Sequence, residues 1–192
     1  KLDGLESEIV NGQVVVFAED ESHTLWGDTI GCVWCRENER TEVPIENAKE
    51  RQTYYGVMNL YNQEFTMSPY EKGNGKNTVD FLNYLQNKGK KLVILWDNAS
   101  YHCSKDVKVY LDQVNHGLEE KDWKITCLPF APNAPQQNPV EDVWLQGKNF
   151  LRRHFFENKT FMQVKCSFFN FLNKRVFNFQ KPHWYLNIPQ PV

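Results

Sequence analysis

Apolar residues fall into short runs in the first part of the chain and adopt a helical rhythm only later. Val14-Val15-Val16-Phe17-Ala18 is a β-branched run that predicts a first strand, ending against Glu19-Asp20-Glu21. A second strand is expected from Ile30 to Trp34, with the charged stretch Arg36 to Arg40 as a hairpin loop. Arg51 to Leu60 and Gln63 to Tyr70 are two more strand-like runs turning at Tyr61-Asn62, so this half predicts an antiparallel meander. The cluster Lys72-Gly73-Asn74-Gly75-Lys76-Asn77 breaks the pattern. Beyond it Val79, Leu82 and Leu85 recur at helical spacing, with Thr78 as the expected N-cap and Gly89 as the stop. Leu92 to Trp96 is uninterrupted and apolar, as in a strand buried on both faces, and it ends on Asp97-Asn98. Ser104 is placed to cap a helix through about Val114, and Ile125 to Leu128 reads as another strand. Pro129 to Pro139 holds four prolines in eleven residues and reads as a stiff, extended connector. Helical spacing returns from Val140 to about Phe155 and from about Thr160 to Val176, before an extended tail containing Pro182.

Meander, helix, buried strand, helix, buried strand, helix is the order of an RNase H-like α/β fold, a mixed five-stranded sheet flanked by helices. The 192 residues suit a single domain, 1–192, with a core over about 14–176 and a tail over 177–192. Hydrophobic residues make up 41% of the chain, with 6 Trp, 8 Tyr and 13 Phe, enough for a sizeable core and against wholesale disorder. No apolar run approaches the ~18–20 residues a bilayer span needs, so no membrane partner is expected and a cytoplasmic location is. Five scattered cysteines, of which only Cys32 and Cys35 form a Cys-x-x-Cys pair, read as ordinary thiols rather than a disulfide framework or a closed zinc site.

The carboxylates at element ends carry the candidate chemistry. Asp20 is expected at the carboxyl end of the first strand and Asp97 at the end of the buried one, and such strand ends open into a shared crevice. Glu141 opens the helix after the proline-rich connector, where the helix dipole also favours an anion. Three converging carboxylates repel unless a cation lies between them, and oxygen-only donors suit Mg²⁺ or Mn²⁺. Two such ions could activate a water or hydroxyl and stabilise the leaving oxygen of a phosphodiester. Taken singly, acids at these positions are also ordinary caps and turn formers.

The local sequences add a resemblance. Phe17-Ala18-Glu19-Asp20-Glu21-Ser22-His23, Asp97-Asn98-Ala99-Ser100-Tyr101-His102 and Asn138-Pro139-Val140-Glu141-Asp142-Val143-Trp144 resemble, in order, the three catalytic blocks of mariner-superfamily DDE transposases. Glu50-Arg51-Gln52-Thr53-Tyr54-Tyr55-Gly56 is similar to the bacterial insertion-sequence branch. The resemblance implies a DDE catalytic domain with Asp20, Asp97 and Glu141 as catalytic metal ligands for Mg²⁺, with Mn²⁺ as substitute and two ions in the site. It implies cleavage of double-stranded DNA at transposon ends and transfer of the freed 3′-hydroxyl to target DNA, commonly at a TA step, with room for a homodimer in a synaptic complex. The 43 residues between Asp97 and Glu141 exceed the spacing of the eukaryotic mariner branch, an excess attributed to the connector and to the loop Asn115 to Trp123. Glu21 and Asp142 are the nearest rivals as ligands. Strand alternation turns Glu21 away from Asp20, and a ~100° step per helical residue separates Asp142 from Glu141. Asn98 and His102 match the second block and could position a phosphate or a metal-bound water, or serve as a turn cap and a backbone partner. Trp144, His23 and Trp26 are expected to be structural.

Charge redraws the picture. The formal net charge is −2, yet residues 143–192 carry eight basic residues against one acid, Glu157, a net +7 that leaves −9 on residues 1–142. Lys148 and Arg152 lie seven and eleven residues beyond Glu141, within about 20° of its helical face, and are candidate DNA contacts. Phe161, Val164, Phe168 and Leu172 form a stripe expected to pack as core, and His183-Trp184-Tyr185-Leu186 is expected to dock on its own domain or on a second protomer. The length leaves no room for an amino-terminal helix-turn-helix region, so a fragment with weak sequence-specific end binding is expected. An RNase H-like nuclease or resolvase without strand transfer, and an inactive DNA-binding relic, are the competing readings.

Overall fold

The computed structural model describes residues 2, 4–25, 36–39, 50–86, 91–131, 135–186 and 188. The strand expected at Ile30 to Trp34, the Cys32–Cys35 pair, Trp26 and Gly89 lie outside them. A short helix α1 (Glu6–Val10) precedes β1 (Val14–Leu25), β2 (Arg51–Asn59), β3 (Glu64–Tyr70), α2 (Gly75–Gln86) and β4 (Lys91–Trp96). There follow α3 (Lys105–Val114), β5 (Ile125–Pro129), α4 (Pro139–Arg153), α5 (Phe161–Leu172) and β6 (Arg175–Val176). The strands form one mixed sheet in the order β5-β4-β1-β2-β3-β6, parallel across β5-β4-β1 and antiparallel across the rest. No helix among the described residues is long and apolar enough to cross a membrane.

Among the described residues six strands replace the expected five, because α5 ends four residues early. Asn173 accepts a hydrogen bond on Oδ1 from the Met67 N–H (3.1 Å), and the Lys174 N–H donates to the Phe65 carbonyl (2.8 Å). These bonds draw the chain onto the edge of β3, where Lys174 turns through a φ of 60° into the two residues of β6.

The first strand also outruns its apolar run. β1 stays paired with β2 as far as Leu25↔Arg51, whereas its parallel pairing with β4 stops at Ala18↔Leu95. Asp20 is therefore not at the end of β1 but within it, two residues beyond the last contact with β4, where the sheet opens. The helix expected to start at Thr78 starts at Gly75 instead. Asn74 Oδ1 accepts the Asn77 N–H at 2.9 Å and the Thr78 hydroxyl folds back on the Asn74 carbonyl, while a Cβ on Gly75 would lie 2.2 Å from Ser104 Oγ. The glycine is a close approach of two helix starts rather than a breaker.

Two cores flank the sheet. Val14, Val16 and Ala18 of β1 pack with Tyr54, Met58 and Phe65 beneath Val140, Val143 and Trp144 of α4 and Phe168 and Leu172 of α5. On the other face Phe17, Tyr55, Val57 and Ile94 meet Phe81, Leu82 and Leu85 of α2 and Val107 of α3. Even positions of β1 thus face α4, and odd positions face α2 and α3. The tail is not extended at its start: Lys181–Trp184 is a 3₁₀ turn, and Tyr185 and the buried Leu186 dock on the domain itself.

Candidate active site

Asp20, at an even position of β1, faces α4. Its cross-strand partner is Gly56 in β2, whose missing side chain leaves room for Trp144: a Cβ there would lie 2.5 Å from both the Trp144 ring and Phe65 Cζ. Trp144 is one helical turn past Glu141, so seating its ring on Gly56 sets the first turn of α4 beside Asp20. Asn138 fixes that turn twice. Its Oδ1 accepts the Val140 N–H (3.0 Å) as the N-cap, and its Nδ2 donates to the Glu19 carbonyl (2.9 Å), one residue from Asp20. Pro139 follows at the first helical position, where its missing N–H costs nothing.

The charges converge on Asp20. Burial first, then the carboxylates of Glu141, Glu21 and Asp97, push its carboxyl well above the usual range. Asp97 leaves β4 with a side chain 56% exposed, and hydrogen bonding from His102, joined by the Ala99 N–H at 2.8 Å, holds it below the usual range against the opposing effect of burial. Both rivals are turned elsewhere. Asp142 is paired with Lys181 of the tail at 2.7 Å, and Glu21 lies on the opposite face of β1.

His102 is not placed to meet a phosphate. It is 4% exposed and stacked on Trp96 with ring centroids 4.3 Å apart. Its Nδ1 lies 3.1 Å from both the carbonyl oxygen and Oδ1 of Asp97, and its Nε2 lies 3.2 Å from Glu21 Oε1 and 3.4 Å from Glu19 Oε2. Burial alone would lower its pKa, but the hydrogen bonds to Asp97 and Glu21 and the charges of Glu19 and Glu21 raise it to about 11. The imidazole thus stands behind Asp97, bonded to its carboxylate and its carbonyl. Alternation along β1 implied that Glu19 and Glu21 share a face, but nothing local in the sequence announced that His102 comes beneath them.

Asn98 is exposed beside Asp97. Burial, then the charges of Arg51 and Lys148, lower the His23 imidazole pKa against the opposing charge of Glu21, and Arg51 pairs with Leu25 at the end of β1. His23 itself bonds Thr53 Oγ1 across the sheet at 3.0 Å, a structural role as expected. Arg152 donates from Nη1 to Asn149 Oδ1 (2.9 Å) while its Nε is buried without a partner. An open groove of about 440 Å³ lined by Glu50, Arg51, Glu71, Lys72, Phe161 and Lys165 adds further cations.

An oxygen-only donor set fits a hard divalent cation. Burial and the charges of Glu141, Glu21 and Asp97 all disfavour an ionised Asp20, and a cation would offset them, so the residues present suit such an ion.

Comparisons with known proteins bear on the fold and the family. In structure the chain is similar to a Mos1 transposase paired-end complex with left transposon end (TM-score 0.57, 15% identity, 94% of this chain and 54% of that one). It is also similar to the HTLV-2 integrase catalytic core domain in complex with magnesium, dimeric form (TM-score 0.50, 14% identity, 83% and 88%). A third similar structure is a simian T-cell lymphotropic virus intasome in complex with the PP2A regulatory subunit B56 gamma (TM-score 0.55, 11% identity, 92% and 57%). The fold is that of RNase H-like transposase and integrase cores, and the chain spans about half the length of the Mos1 chain. No curated protein matches in sequence. Residues 14–163 match the family described as DDE superfamily endonuclease, a stretch that runs from the first residue of β1 into α5 and takes in Asp20, Asp97 and Glu141. The chain belongs to the DDE superfamily endonucleases.

Proposed function

We propose that the chain is the catalytic domain of a cut-and-paste transposase of the mariner superfamily, in its bacterial insertion-sequence branch. It cleaves double-stranded DNA at transposon ends and joins the 3′-hydroxyl to target DNA, commonly at TA. The observation that carries this reading is the half-buried Asp20, whose carboxyl is pushed above its usual range by burial and then by the charges of Glu141, Glu21 and Asp97, near where β4 leaves the sheet. Asp20, Asp97 and Glu141 would hold Mg²⁺ or Mn²⁺, two ions in all. Those ions supply Lewis-acid stabilisation of the phosphodiester and a nucleophile at neutral pH. The chain orients the ligands: Trp144 on Gly56 and the Asn138 cap set Glu141, and His102 sets Asp97. Lys148 and Arg152 extend along the same helix as a track for the phosphates that flank the scissile one. Asn98, exposed beside Asp97, would hydrogen-bond a phosphate oxygen. A second copy of the chain would hold the second transposon end.

The test is cleavage of a labelled transposon-end duplex with Mg²⁺. Asp97→Ala and Glu141→Gln should each lower cutting by at least ~100-fold, since outer-sphere changes alone typically cost 10–100-fold, while Asp142→Asn should cut normally. Equal cutting by the wild type and Asp97→Ala would reject the site. Joined product should vanish when the 3′-end is blocked. Cutting with no joined product from a free 3′-end would favour a nuclease or resolvase instead, and no cutting at all an inactive DNA-binding relic.

A further inference from the structure

Behind Asp20, on the α2 and α3 side of β1, Glu19, Glu21 and His102 each bring a ligand atom to within 4.8 Å of one another. The tautomer of His102 follows from its partners. Its Nδ1 faces two acceptors of Asp97, the carbonyl oxygen and Oδ1, so Nδ1 carries a proton. The Nε2 position is then turned toward two carboxylates, Glu21 Oε1 at 3.2 Å and Glu19 Oε2 at 3.4 Å. An Nε2 turned toward two carboxylates calls for positive charge there, from a proton or a metal ion.

A second proton on the ring meets that need only in part. One Nε2–H serves one carboxylate, and Glu21 is within hydrogen-bond reach. Neither oxygen of Glu19 has a hydrogen-bond partner although Glu19 is 2% exposed. A buried carboxylate without a hydrogen bond is costly, and its Oε2 faces His102 at 3.4 Å, inside the cluster. A metal ion, unlike a proton, bonds both carboxylates and the imidazole at once.

We propose that Glu19, Glu21 and His102 form a three-ligand site for one divalent transition-metal ion of the Zn²⁺ type, with the fourth position left to water, distinct from the carboxylate triad on the opposite face of β1. The donor set is one imidazole nitrogen with carboxylate oxygens, which Zn²⁺ accepts readily and Mg²⁺ does not prefer. Tetrahedral bonds of about 2.0–2.1 Å place neighbouring ligand atoms about 3.3 Å apart, the spacing found between Nε2 and both carboxylates. The surroundings are those of a metal-bound histidine: Nδ1–H donates to a backbone carbonyl, and Tyr101 donates its hydroxyl to the free oxygen of Glu21 at 2.9 Å. Bound there, the ion ties the loop carrying Asp97 to the strand carrying Asp20.

Co²⁺, whose tetrahedral complexes absorb visible light, is the probe, in the chain carrying Asp20→Asn and Glu141→Gln to disable the triad while leaving the support of His102 intact. This variant should bind one Co²⁺ with tetrahedral absorption, displaced by Zn²⁺ but not by Mg²⁺, and Zn²⁺ should raise its Tm. Adding Glu19→Gln or His102→Gln should abolish both responses. Absorption and thermal shift that survive these changes, or that never arise in the double variant, overturn the proposal. Where an added substitution prevents folding, the double variant decides alone: a chelator-reversible Tm rise with Zn²⁺ supports the site, and its absence rejects it. Triad cleavage by the wild type is read separately, so the two assignments fail independently.

Discussion

Asp20 and Glu19 are neighbours on one strand, and their carboxyls lead separate lives because successive side chains leave a strand on opposite faces. Burial is the first cause of the elevated pKa of both, but Asp20 shares its side with Glu141, and Glu19 shares its own with Glu21 and His102. This division has a pH signature in metal-free protein. The folded pKa of His102 is about 11 against an ordinary 6.5, so its stabilising contribution is complete below pH 6.5 and is lost as pH rises through 11. Glu19 and Asp20, raised from ordinary values, bind protons more tightly folded than unfolded and share that sign; Asp97, lowered, opposes it only in acid. Thermal unfolding in chelator should therefore give a Tm that falls from pH 6.5 into the alkaline range, and His102→Gln should flatten the slope. A slope unchanged by that substitution would remove His102 as its source. At this scale the proposed triad was a reading of motif letters, and the opposite facing of Asp20 and Glu21 followed from strand alternation. The support behind it was not legible, because Glu19 and His102 lie 83 residues apart in sequence and meet only when β1 and β4 are neighbours.

Among the elements, α4 carries Glu141, and two glycines set its placement. Gly56 admits Trp144, and Gly147 lets α5 approach, since a Cβ at Gly147 would lie 2.6 Å from Leu172 and Phe168. Gly56→Ala should lower stability by about 1–3 kcal/mol through overpacking and reduce cleavage beyond the loss of folded protein, by shifting Glu141. Chemical denaturation alongside cleavage per folded molecule checks this, and full specific activity would mean that the Trp144 seat does not position the helix. The tail braces α4 from outside. Lys181 pairs with Asp142, and Tyr185 donates to the Gln137 carbonyl at 2.9 Å, on either side of Glu141. Periodicity located α3, α4 and β4 closely. It misplaced the end of β1, the start of α2 and the end of α5, because pairing with β2, a glycine fitted against Ser104 and the Asn173 bond to β3 are tertiary facts.

For the whole molecule the net charge of −2 conceals a division that the fold makes spatial. The acidic residues of the site lie where β1, β4 and α4 meet, and the cations Lys148 and Arg152 follow on the same helix. Not all of the carboxyl-terminal excess is free for DNA: Lys181 is paired with Asp142, and Arg175 stacks over Phe171, 4.6 Å from the ring centroid. Replacing Lys148 or Arg152 with Ala should each reduce the slope of log affinity against log salt by about 1 on duplex DNA, across sequences alike. An unchanged slope would take that residue off the phosphate path.

The parallel pairing of β1 with β4 also has a kinetic meaning. Val14 pairs with Lys91 and Leu92 with Ile125, whereas the β2–β3 hairpin closes over a few residues. Loop-closure entropy favours the hairpin first and delays the parallel half, which alone brings Asp97 to Asp20. Pulse-labelled hydrogen exchange during refolding should protect β2 and β3 amides before those of β4 and β5, with simultaneous protection as the contrary result. A nascent chain would then hold a native-like hairpin long before it holds a catalytic centre, and nuclease competence would be among the last properties it acquires.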